Sequence, residues 1–296
     1  EFLLALRERE ETPQELAGFA ASMRKHAIAV PVTRRNLLDT CGTGGDGAHT
    51  FNISTAAALI AASAGIGVAK HGNRSVSSPC GSADVYEALG LKISSDPGAV
   101  AQQIDCYGFG FLFAPYFHPA MQSVARIRRL LGVRTVFNLL GPLTNPAPVK
   151  RQVIGVYDRA LIPRVVCVLK ELGTEEALVF ASHDHLDEIA LSADTDAVHL
   201  HHGVTSAIVI SPEDFGLRKQ ALDSVRGGDA LTSAQVILDI FDGKLGPHRD
   251  ILVINAGAAL WIGGVTNSLS AGVREAATLL TQGEPRRYLD RLRAVQ

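Results

Sequence analysis

The 296-residue sequence has little cysteine, few aromatic residues, no excess of one charge sign and no long hydrophobic run. Its four cysteines are dispersed without a Cys-x-x-Cys pair, which disfavours a disulfide framework or a zinc finger and predicts reduced, mostly buried thiols in a cytoplasmic protein. The 28 basic and 30 acidic residues leave a net charge of −2, which gives no general attraction to nucleic acid or anionic lipid. The longest small and apolar run, residues 55–69, falls short of the roughly 20 apolar residues that cross a bilayer. Together these absences argue against a nucleic-acid partner and against a membrane span.

Hydrophobic residues make up 47% of the chain, and their spacing predicts an α/β protein. The sequence starts at Glu1 with an apolar stretch typical of the middle of a helix, so we expect a truncated N-terminus. Thr12, Pro13 and Glu15 have the spacing of a capping box and predict a helix over residues 13–26. Strand-like and helical stretches then alternate, which favours a central mixed sheet flanked by helices. The predicted strands are residues 36–40, 66–69, 91–93, 109–113, 152–157, 177–181 and 207–210, with an antiparallel pair expected within 197–210.

A glycine-rich segment, Gly42-Thr43-Gly44-Gly45-Asp46, follows a predicted strand and precedes an alanine-rich helix that starts near Ser54 and Thr55. Glycine lets backbone N–H groups approach an anion closely, and a helix N-terminus adds unpaired donors with a favourable dipole. The two hydroxyl groups add further donors. This pattern favours phosphate binding, although a tight strand-to-helix turn capped by the hydroxyls would have the same sequence features.

A second polar segment, Lys70–Ser78, has the sequence Lys-His-Gly-Asn-Arg-Ser-Val-Ser-Ser and directly follows a predicted strand. Two cations, an imidazole, an amide and three hydroxyls at a strand end are suited to oxyanion contacts, because charged donors form the stronger hydrogen bonds. The alternative is a solvated loop. Because this segment follows the glycine-rich segment and its helix, the two segments favour a composite site for a phosphorylated ligand, which we expect to be pyrophosphorylated.

Adjacent carboxylates at Asp187 and Glu188 are candidate metal ligands. Mg²⁺ prefers oxygen ligands and binds through one or two carboxylates together with substrate phosphates. The nearby His183 and His185 permit a transition-metal site instead, but His-x-His beside acidic residues is also common in polar loops. We therefore predict magnesium rather than a histidine-bound metal.

Three arginines, Arg126, Arg128 and Arg129, lie in one predicted helix. Helical spacing places Arg126 and Arg129 on a neighbouring face and directs Arg128 elsewhere. An arginine that enters a cleft there would bind a carboxylate through two hydrogen bonds, whereas the alternative is a solvated helix face. The Gly-Pro and Asn-Pro turns that follow are candidates for a pocket wall.

These motifs resemble the anthranilate phosphoribosyltransferase family of tryptophan biosynthesis, in order and spacing, over nearly the whole chain. Class II nucleoside phosphorylases share the general architecture and a Lys-His-Gly loop, and they are one alternative. A non-catalytic nucleic-acid-binding relative is another, against which the net charge and the acidic pair argue. The motifs that carry the resemblance are GTGGD at Gly42–Asp46, NIST at Asn52–Thr55, KHGNRSVSS at Lys70–Ser78, GSAD at Gly81–Asp84, FLFAP at Phe111–Pro115, HPAM at His118–Met121, LGVRTVFNLLGPLTNP at Leu131–Pro146, LDE at Leu186–Glu188 and PEDFGL at Pro212–Leu217.

The resemblance implies a small α-helical domain, residues 1–33 with further helices from about 115–140, and a large α/β phosphoribosyl-binding domain, residues 34–296. The active site would lie in the cleft between them, and the helical domain would form a homodimer. The implied reaction transfers phosphoribose from 5-phosphoribosyl 1-pyrophosphate (PRPP) to the amino group of anthranilate, with two Mg²⁺ ions.

The resemblance also implies roles for individual residues. Ser54, Asp187 and Glu188 would hold magnesium, and Gly42, Asn73 and Arg128 would face anthranilate. We consider Lys70 and His71 as candidate catalytic groups, Lys70 for the leaving group and His71 for a late proton or a structural hydrogen bond. This chain has His185 where the family commonly has glycine, so we expect the metal loop to sit differently. The residues implied to contact PRPP are Gly42, Gly45, Asp46, Thr50, Asn52, Ser54, Thr55, Lys70 and Ser82.

Overall fold

The computed structural model describes residues 1–74 and 80–295, so Ser75–Ser78 of the second polar segment lie outside the described residues. Thirteen α-helices are present in the described part of the chain. Four short 3-10 helices lie at Gly141–Leu143, Arg159–Leu161, Pro212–Phe215 and Leu222–Val225. The helices are α1 (Phe2–Arg9), α2 (Pro13–His26), α3 (Ile53–Ser63), α4 (Ser82–Ala88), α5 (Pro97–Tyr107), α6 (Ala114–Phe117), α7 (Met121–Leu131), α8 (Phe137–Leu140), α9 (Ile162–Glu171), α10 (Ala230–Phe241), α11 (Pro247–Gly263), α12 (Leu269–Thr281) and α13 (Glu284–Ala294).

Seven strands in the described residues form one mixed sheet in the order β3-β2-β1-β4-β5-β6-β7. The first five strands pair in parallel, and β6 and β7 add antiparallel to β5. Parallel strands need crossover connections, which here contain the helices that cover both faces of the sheet. The strands are β1 (Leu38–Asp39), β2 (Val68–Gly72), β3 (Phe109–Phe113), β4 (Arg151–Gly155), β5 (Glu176–Ser182), β6 (Thr195–His201) and β7 (Val204–Ile210).

Alternate side chains of each central strand enter different hydrophobic clusters. In β5, Leu178 and Phe180 pack with α3 and α11, whereas Ala177 and Val179 pack with α9. This period of two follows from the pleat of a strand that is buried on both faces. The sheet is therefore the central layer, and its carboxyl edge is left free for polar side chains.

The first two helices pack against the sheet through α9 and the segment around α8. Leu6 of α1 and Leu16 of α2 share a buried cluster with Val136 and Leu139. The start of α2 has the predicted capping box, in which the Glu15 N–H donates to Thr12 Oγ1 over 3.2 Å. A helical N-terminal region next to an α/β core is thus present.

Most predicted elements are confirmed, and one strand prediction is wrong. Residues 91–93 have no regular secondary structure, because buried Leu91 and half-buried Ile93 pack into the core from an irregular segment after α4. The four cysteines are free, but three are half-buried and Cys106 is exposed, so the expectation of mostly buried thiols is wrong. Among the described helices, none has the length and apolar character of a membrane span.

Candidate active site

A polar cavity lies at the carboxyl edge of the parallel strands. In open α/β sheets this edge is where ligands bind, because the loops that leave neighbouring strands converge there. The segments after β1, β4 and β5 meet the N-terminus of α3 at this point. The cavity is lined by Thr40, Gly42, Ser54, Gly155, Asp187 and Glu188, among others.

The glycine-rich segment after β1 forms an open loop of backbone donors. Gly44 and Gly45 have φ values of +65° and +82°, a region that glycine occupies without steric cost. The Gly44 N–H donates to Asp187 Oδ2 over 2.6 Å. The amides of Gly45 and Asp46 make no hydrogen bond within the described residues, and the Ala48 N–H donates to Asp46 Oδ1 over 3.0 Å. The loop thus retains unpaired donors for an anion.

Glycine is required where this loop meets β4 and the acidic segment. A Cβ atom on Gly42 would lie 3.1 Å from both Asp187 Oδ2 and the carbonyl oxygen of Gly155. A Cβ atom on Gly155 would overlap the backbone carbonyl of Asp187. Gly155 was not predicted from the sequence, since a lone glycine at a strand end gives no indication of the residue that it contacts.

Asp187 and Glu188 form a half-buried acidic pair, with Asp46 beside them. Burial, followed by the charges of Asp46 and Glu188, raises the pKa of Asp187 well above its ordinary range. Burial also raises the pKa of Glu188 to about 8, although Lys70 opposes the shift. In the absence of a cation, burial and the neighbouring acidic groups therefore disfavour the charged forms of Asp187 and Glu188.

Lys70 in β2 is the buried cation of the site, with 1% of its surface exposed. Its ammonium group donates to Thr40 Oγ1 at 3.0 Å, to the Thr40 carbonyl at 3.2 Å and to Ser54 Oγ at 3.3 Å. Burial lowers its pKa, while Asp39 and Glu188 oppose the shift. The predicted residues Lys70, Ser54 and Glu188 are thus brought together at the start of α3.

A buried hydrogen-bond network holds the backbone on both sides of Lys70 in β2. Asn145 Nδ2 donates to Asp39 Oδ2 and to the Ala69 carbonyl, both over 2.8 Å, and Asp39 Oδ1 accepts from the His71 N–H over 3.2 Å. Burial raises the pKa of Asp39 to about 6, against the effect of Lys70. The Asn-Pro motif therefore stabilises the strand ends, rather than only forming a turn.

Asn255 in α11 fixes the acidic segment and was missed by the sequence analysis. Its Oδ1 accepts from the Ile189 N–H and its Nδ2 donates to the Ile189 carbonyl, both over 2.9 Å. Its position as a polar residue among the apolar residues of this helix could have indicated a buried hydrogen-bonding role. This contact holds the backbone directly after Glu188.

Of the remaining residues implied to contact PRPP, Thr50, Asn52 and Ser82 are half-buried, whereas Thr55 is fully buried. Asn52 precedes α3, and its side chain makes no capping hydrogen bond. Thr55 Oγ1 is buried without a hydrogen-bond partner in the described residues, whereas Thr50 forms an isolated backbone bridge with Arg226. Ser82, at the start of α4, accepts from the Asn73 N–H over 3.3 Å, which places both next to the end of β2.

Two arginines approach from the segment around α7 in different ways. Arg128 is half-buried over the Phe137 ring at 5.4 Å, and burial lowers its pKa. Within the described residues it makes no hydrogen bond or ion pair with Gly42 or Asn73. Arg134, which the sequence analysis did not single out, donates to the Gly45 carbonyl and stacks 4.0 Å from the Tyr157 ring centroid. Arg134 thus connects this segment to the glycine-rich loop.

His71 is buried against His118, with ring centroids 5.2 Å apart. Burial lowers the pKa of His71 to about 3, and its Nδ1 lies 3.0 Å from the Gly141 carbonyl. A neutral ring that donates through Nδ1 leaves an Nε2 atom without a partner in the described structure. This environment favours a positioning role over proton uptake at neutral pH.

The histidines of the acidic segment do not face the cavity. His183 Nε2 contacts Asp196 Oδ1 at 2.9 Å, and His185 is exposed. His185 has a φ value of +68°, the left-handed region that glycine favours. The backbone of His185 therefore has a conformation that the glycine common in the family would also adopt. Asp187 and Glu188 still line the cavity.

Comparisons with known proteins agree with this geometry. The profile of the "Glycosyl transferase family, a/b domain" matches residues 34–286. An anthranilate phosphoribosyltransferase of Brevibacillus brevis is 47% identical over 294 residues, which are 99% of this chain and 86% of the relative. The solved enzyme of that name from Thermus thermophilus is 43% identical with a TM-score of 0.93, over 99% of this chain and 87% of that one.

The anthranilate phosphoribosyltransferase of Saccharomyces cerevisiae, solved in complex with PRPP and Mg, is 29% identical with a TM-score of 0.89. The match covers 98% of this chain and 82% of the yeast chain. The yeast enzyme has also been solved with 4-fluoroanthranilate. With near-complete coverage at such identities, this chain belongs to the anthranilate phosphoribosyltransferase family.

Proposed function

We propose that this chain transfers the 5-phosphoribosyl group of PRPP to the amine of anthranilate, with release of pyrophosphate. The observation that carries the proposal is the placement of Asp187 between the glycine-rich loop and Gly155, with Glu188 near Lys70 at the start of α3. Carboxyl groups that line the cavity, free backbone donors in the adjoining loop and a buried ammonium group next to Ser54 suit a diphosphate bound with a divalent cation. The relatives' names support this activity over a nucleoside phosphorylase or a nucleic-acid-binding protein.

Magnesium fits the residues present. Burial and the neighbouring acidic groups raise the pKa values of Asp187 and Glu188, a bound cation would offset this effect, and carboxylate oxygens are ligands that Mg²⁺ prefers. We propose that Asp187, Glu188 and Ser54 hold it, with two ions per site. When bound, Mg²⁺ supplies positive charge that offsets the charge of the diphosphate.

The chain's own groups would stabilise the leaving group. Cleavage of the bond between the ribose C1 atom and pyrophosphate develops negative charge on the departing oxygens and positive charge on the sugar. The Lys70 ammonium group and the free amides of Gly45 and Asp46 would donate to those oxygens, with Asn52 as a further donor at the start of α3. Groups that are already fixed in place stabilise such charge without reorganisation.

Anthranilate would be positioned rather than activated. Its aniline nitrogen is neutral at pH 7, so a strong general base is not needed. We propose that Arg128 binds the carboxylate of anthranilate and Asn73 lies near the amine, with Gly42 at the junction of both substrates. Holding the nitrogen in line with the ribose carbon makes the reaction of the two bound substrates effectively unimolecular and so lowers its entropic cost. His71, neutral at this pH, would help to shape this pocket.

The proposal also includes the domain boundaries and the oligomeric state. We propose a helical domain of residues 1–33 with helices from 115–140, and an α/β domain of residues 34–296; the match that begins at residue 34 supports the boundary. We further propose a homodimer formed through the helical domain, in the cytoplasm, without nucleic-acid or membrane partners. Among the described residues, the exposed apolar side chains of Ile127 and Leu130 on α7 support such a contact.

The test is an incubation of the protein with PRPP, Mg²⁺ and anthranilate, followed through the fluorescence of anthranilate. The proposal predicts loss of the signal only when all three are present. Consumption of a nucleoside with inorganic phosphate, and no change with anthranilate, would instead identify a nucleoside phosphorylase.

A further inference from the structure

A cluster of histidines lies at the opposite end of the sheet from the candidate active site. Glu176 opens β5, and it pairs in register with His201, the last residue of β6. Asp187 and Glu188 follow the other end of β5. Because each residue of a strand advances about 3.3 Å, the seven residues of β5 separate the two regions by roughly 20 Å.

The donor atoms of this cluster converge. Ligand atoms of Glu176, His201 and His202 all lie within 4.8 Å of one another. His201 Nδ1 contacts Glu176 Oε1, and the His201 and His202 rings meet edge to face at 4.7 Å. In the described residues this is the only group of three or more histidine, cysteine or acidic side chains with such spacing.

The backbone holds these donors in place. His202 and Gly203 form the two-residue turn between β6 and β7, with φ values of +45° and +83°, and the His202 N–H donates to the Glu175 carbonyl over 2.7 Å. A turn of this kind fits the twist of a hairpin and has a defined conformation. The His202 ring is therefore attached to an ordered turn.

His199, two residues before His201 on β6, contacts the carboxylate of Glu176. Its Nε2 lies 3.0 Å from Glu176 Oε2, the oxygen that His201 does not contact. The pair is largely covered, with 16% of the His199 side chain and 15% of the Glu176 side chain exposed. Hydrogen bonds of this kind orient a ligating carboxylate in metal sites. Arg151, in register with Glu176, directs its guanidinium group to the Gly263 carbonyl.

We propose that Glu176, His201 and His202 bind a divalent transition-metal ion, with Zn²⁺ as the expected occupant and His199 as a positioning residue. Two imidazole nitrogens and one carboxylate are a donor set that zinc, nickel and copper prefer and that magnesium does not. This site is separate from the magnesium site of the proposed reaction. A bound ion would connect the tip of the β6–β7 hairpin to β5.

The single tryptophan of the chain reports on this site. The ring centroids of Trp261 and His199 are 4.4 Å apart. Titration of the full chain with Ni²⁺, in buffer that contains enough Mg²⁺ to fill the proposed magnesium site, is expected to quench the Trp261 fluorescence. Titration with Zn²⁺ is expected to shift it, and equilibrium dialysis should find one Zn²⁺ per chain that Mg²⁺ does not displace.

Variants test the assignment. His201→Ala and His202→Asn should each weaken Zn²⁺ binding at least tenfold and abolish the fluorescence response; asparagine is chosen because it tolerates a positive φ. The matched control His26→Ala, an exposed histidine on α2, should respond like the unmodified chain. His199→Ala should weaken binding by about 10- to 100-fold.

Circular dichroism and enzymatic turnover serve as folding controls, and both are expected to match those of the unmodified chain. The proposal is overturned if the unmodified chain gives no Trp261 response and no bound Zn²⁺ in the presence of Mg²⁺. It is also overturned if His201→Ala and His202→Asn bind Zn²⁺ with the affinity of the His26→Ala control.

Discussion

Gly155, the last residue of β4, lies against the backbone carbonyl of Asp187 with no room for a side chain between them. Its own carbonyl accepts from the Thr43 N–H over 2.9 Å, so the same residue contacts the glycine-rich loop and the acidic segment. The close approach places Asp187 Oδ2 2.6 Å from the Gly44 amide. The position of the carboxylate relative to the loop therefore depends on the absence of one Cβ atom.

Gly155→Ala tests this dependence. The added methyl group would displace the Asp187 backbone, and overpacking of this kind costs about 1–3 kcal/mol. We expect kcat/KM for PRPP to fall by roughly tenfold or more, since about 1.4 kcal/mol corresponds to a factor of ten. The control is Gly18→Ala in α2, where a Cβ meets nothing within 4 Å. Equal activity of the two variants in steady-state assays would exclude the proposed role of the close approach.

Lys70→Met tests the buried cation. Methionine has a similar length but no charge, so the leaving group would lose its ammonium donor. Removal of one donor that stabilises developing charge reduces kcat by about 100- to 1000-fold in comparable sites. Lys244→Met, at an exposed lysine paired with Asp239, is the control. A turnover number for Lys70→Met within twofold of the control, with both variants folded, would remove Lys70 from the mechanism.

Arg128→Ala tests the anthranilate side of the cleft. Loss of a charge-assisted hydrogen bond should raise the KM for anthranilate by about 10- to 100-fold, with little change in the KM for PRPP. Arg126→Ala, an exposed arginine on the same helix, should leave both constants unchanged. If the two KM values rise equally in Arg128→Ala, the residue does not face anthranilate.

The raised pKa of Glu188 predicts a pH dependence of stability. The ordinary pKa is 4.5 and the folded value is about 8, so between these values the folded chain holds more protons than the unfolded chain. Stability without metal should therefore fall as the pH rises through this range. Mg²⁺ binds the ionised carboxylate, so the increase in Tm that it causes should grow with pH.

Thermal unfolding at several pH values, with Mg²⁺ and with a chelator, checks this prediction. Glu188→Gln should flatten the pH dependence in chelator, whereas Glu8→Gln, at an exposed glutamate, should not. A Tm in chelator that rises from pH 5 to pH 8 would contradict the assignment of buried, uncompensated charge.

The elements were predictable because the signals that specify them are local. The capping box at Thr12 and the apolar run at residues 177–181 act through neighbours in sequence, and the helix and strand that they predict are confirmed. The strand expected over residues 91–93 is wrong because three apolar residues can enter a core from an irregular segment as well as from a strand. The core contacts of Leu91 come from distant parts of the chain.

The candidate site was predictable where chemistry is concentrated in short motifs, as at Lys70 and Asp187. Gly155, Asn255 and Arg134 were missed because each acts through a partner that is distant in sequence. Asn255 lies 66 residues from Ile189, and Arg134 lies 89 residues from Gly45. A single sequence contains no signal that connects such pairs.

Calorimetric titration of PRPP into the protein, with and without Mg²⁺, measures whether the acidic pair binds the diphosphate through the cation. We expect saturable heat at one PRPP per chain with Mg²⁺, and loss of the Mg²⁺-dependent part in Asp187→Asn and Glu188→Gln. Binding of PRPP with the same affinity in the absence of Mg²⁺, or in both variants, would contradict this role of the acidic pair.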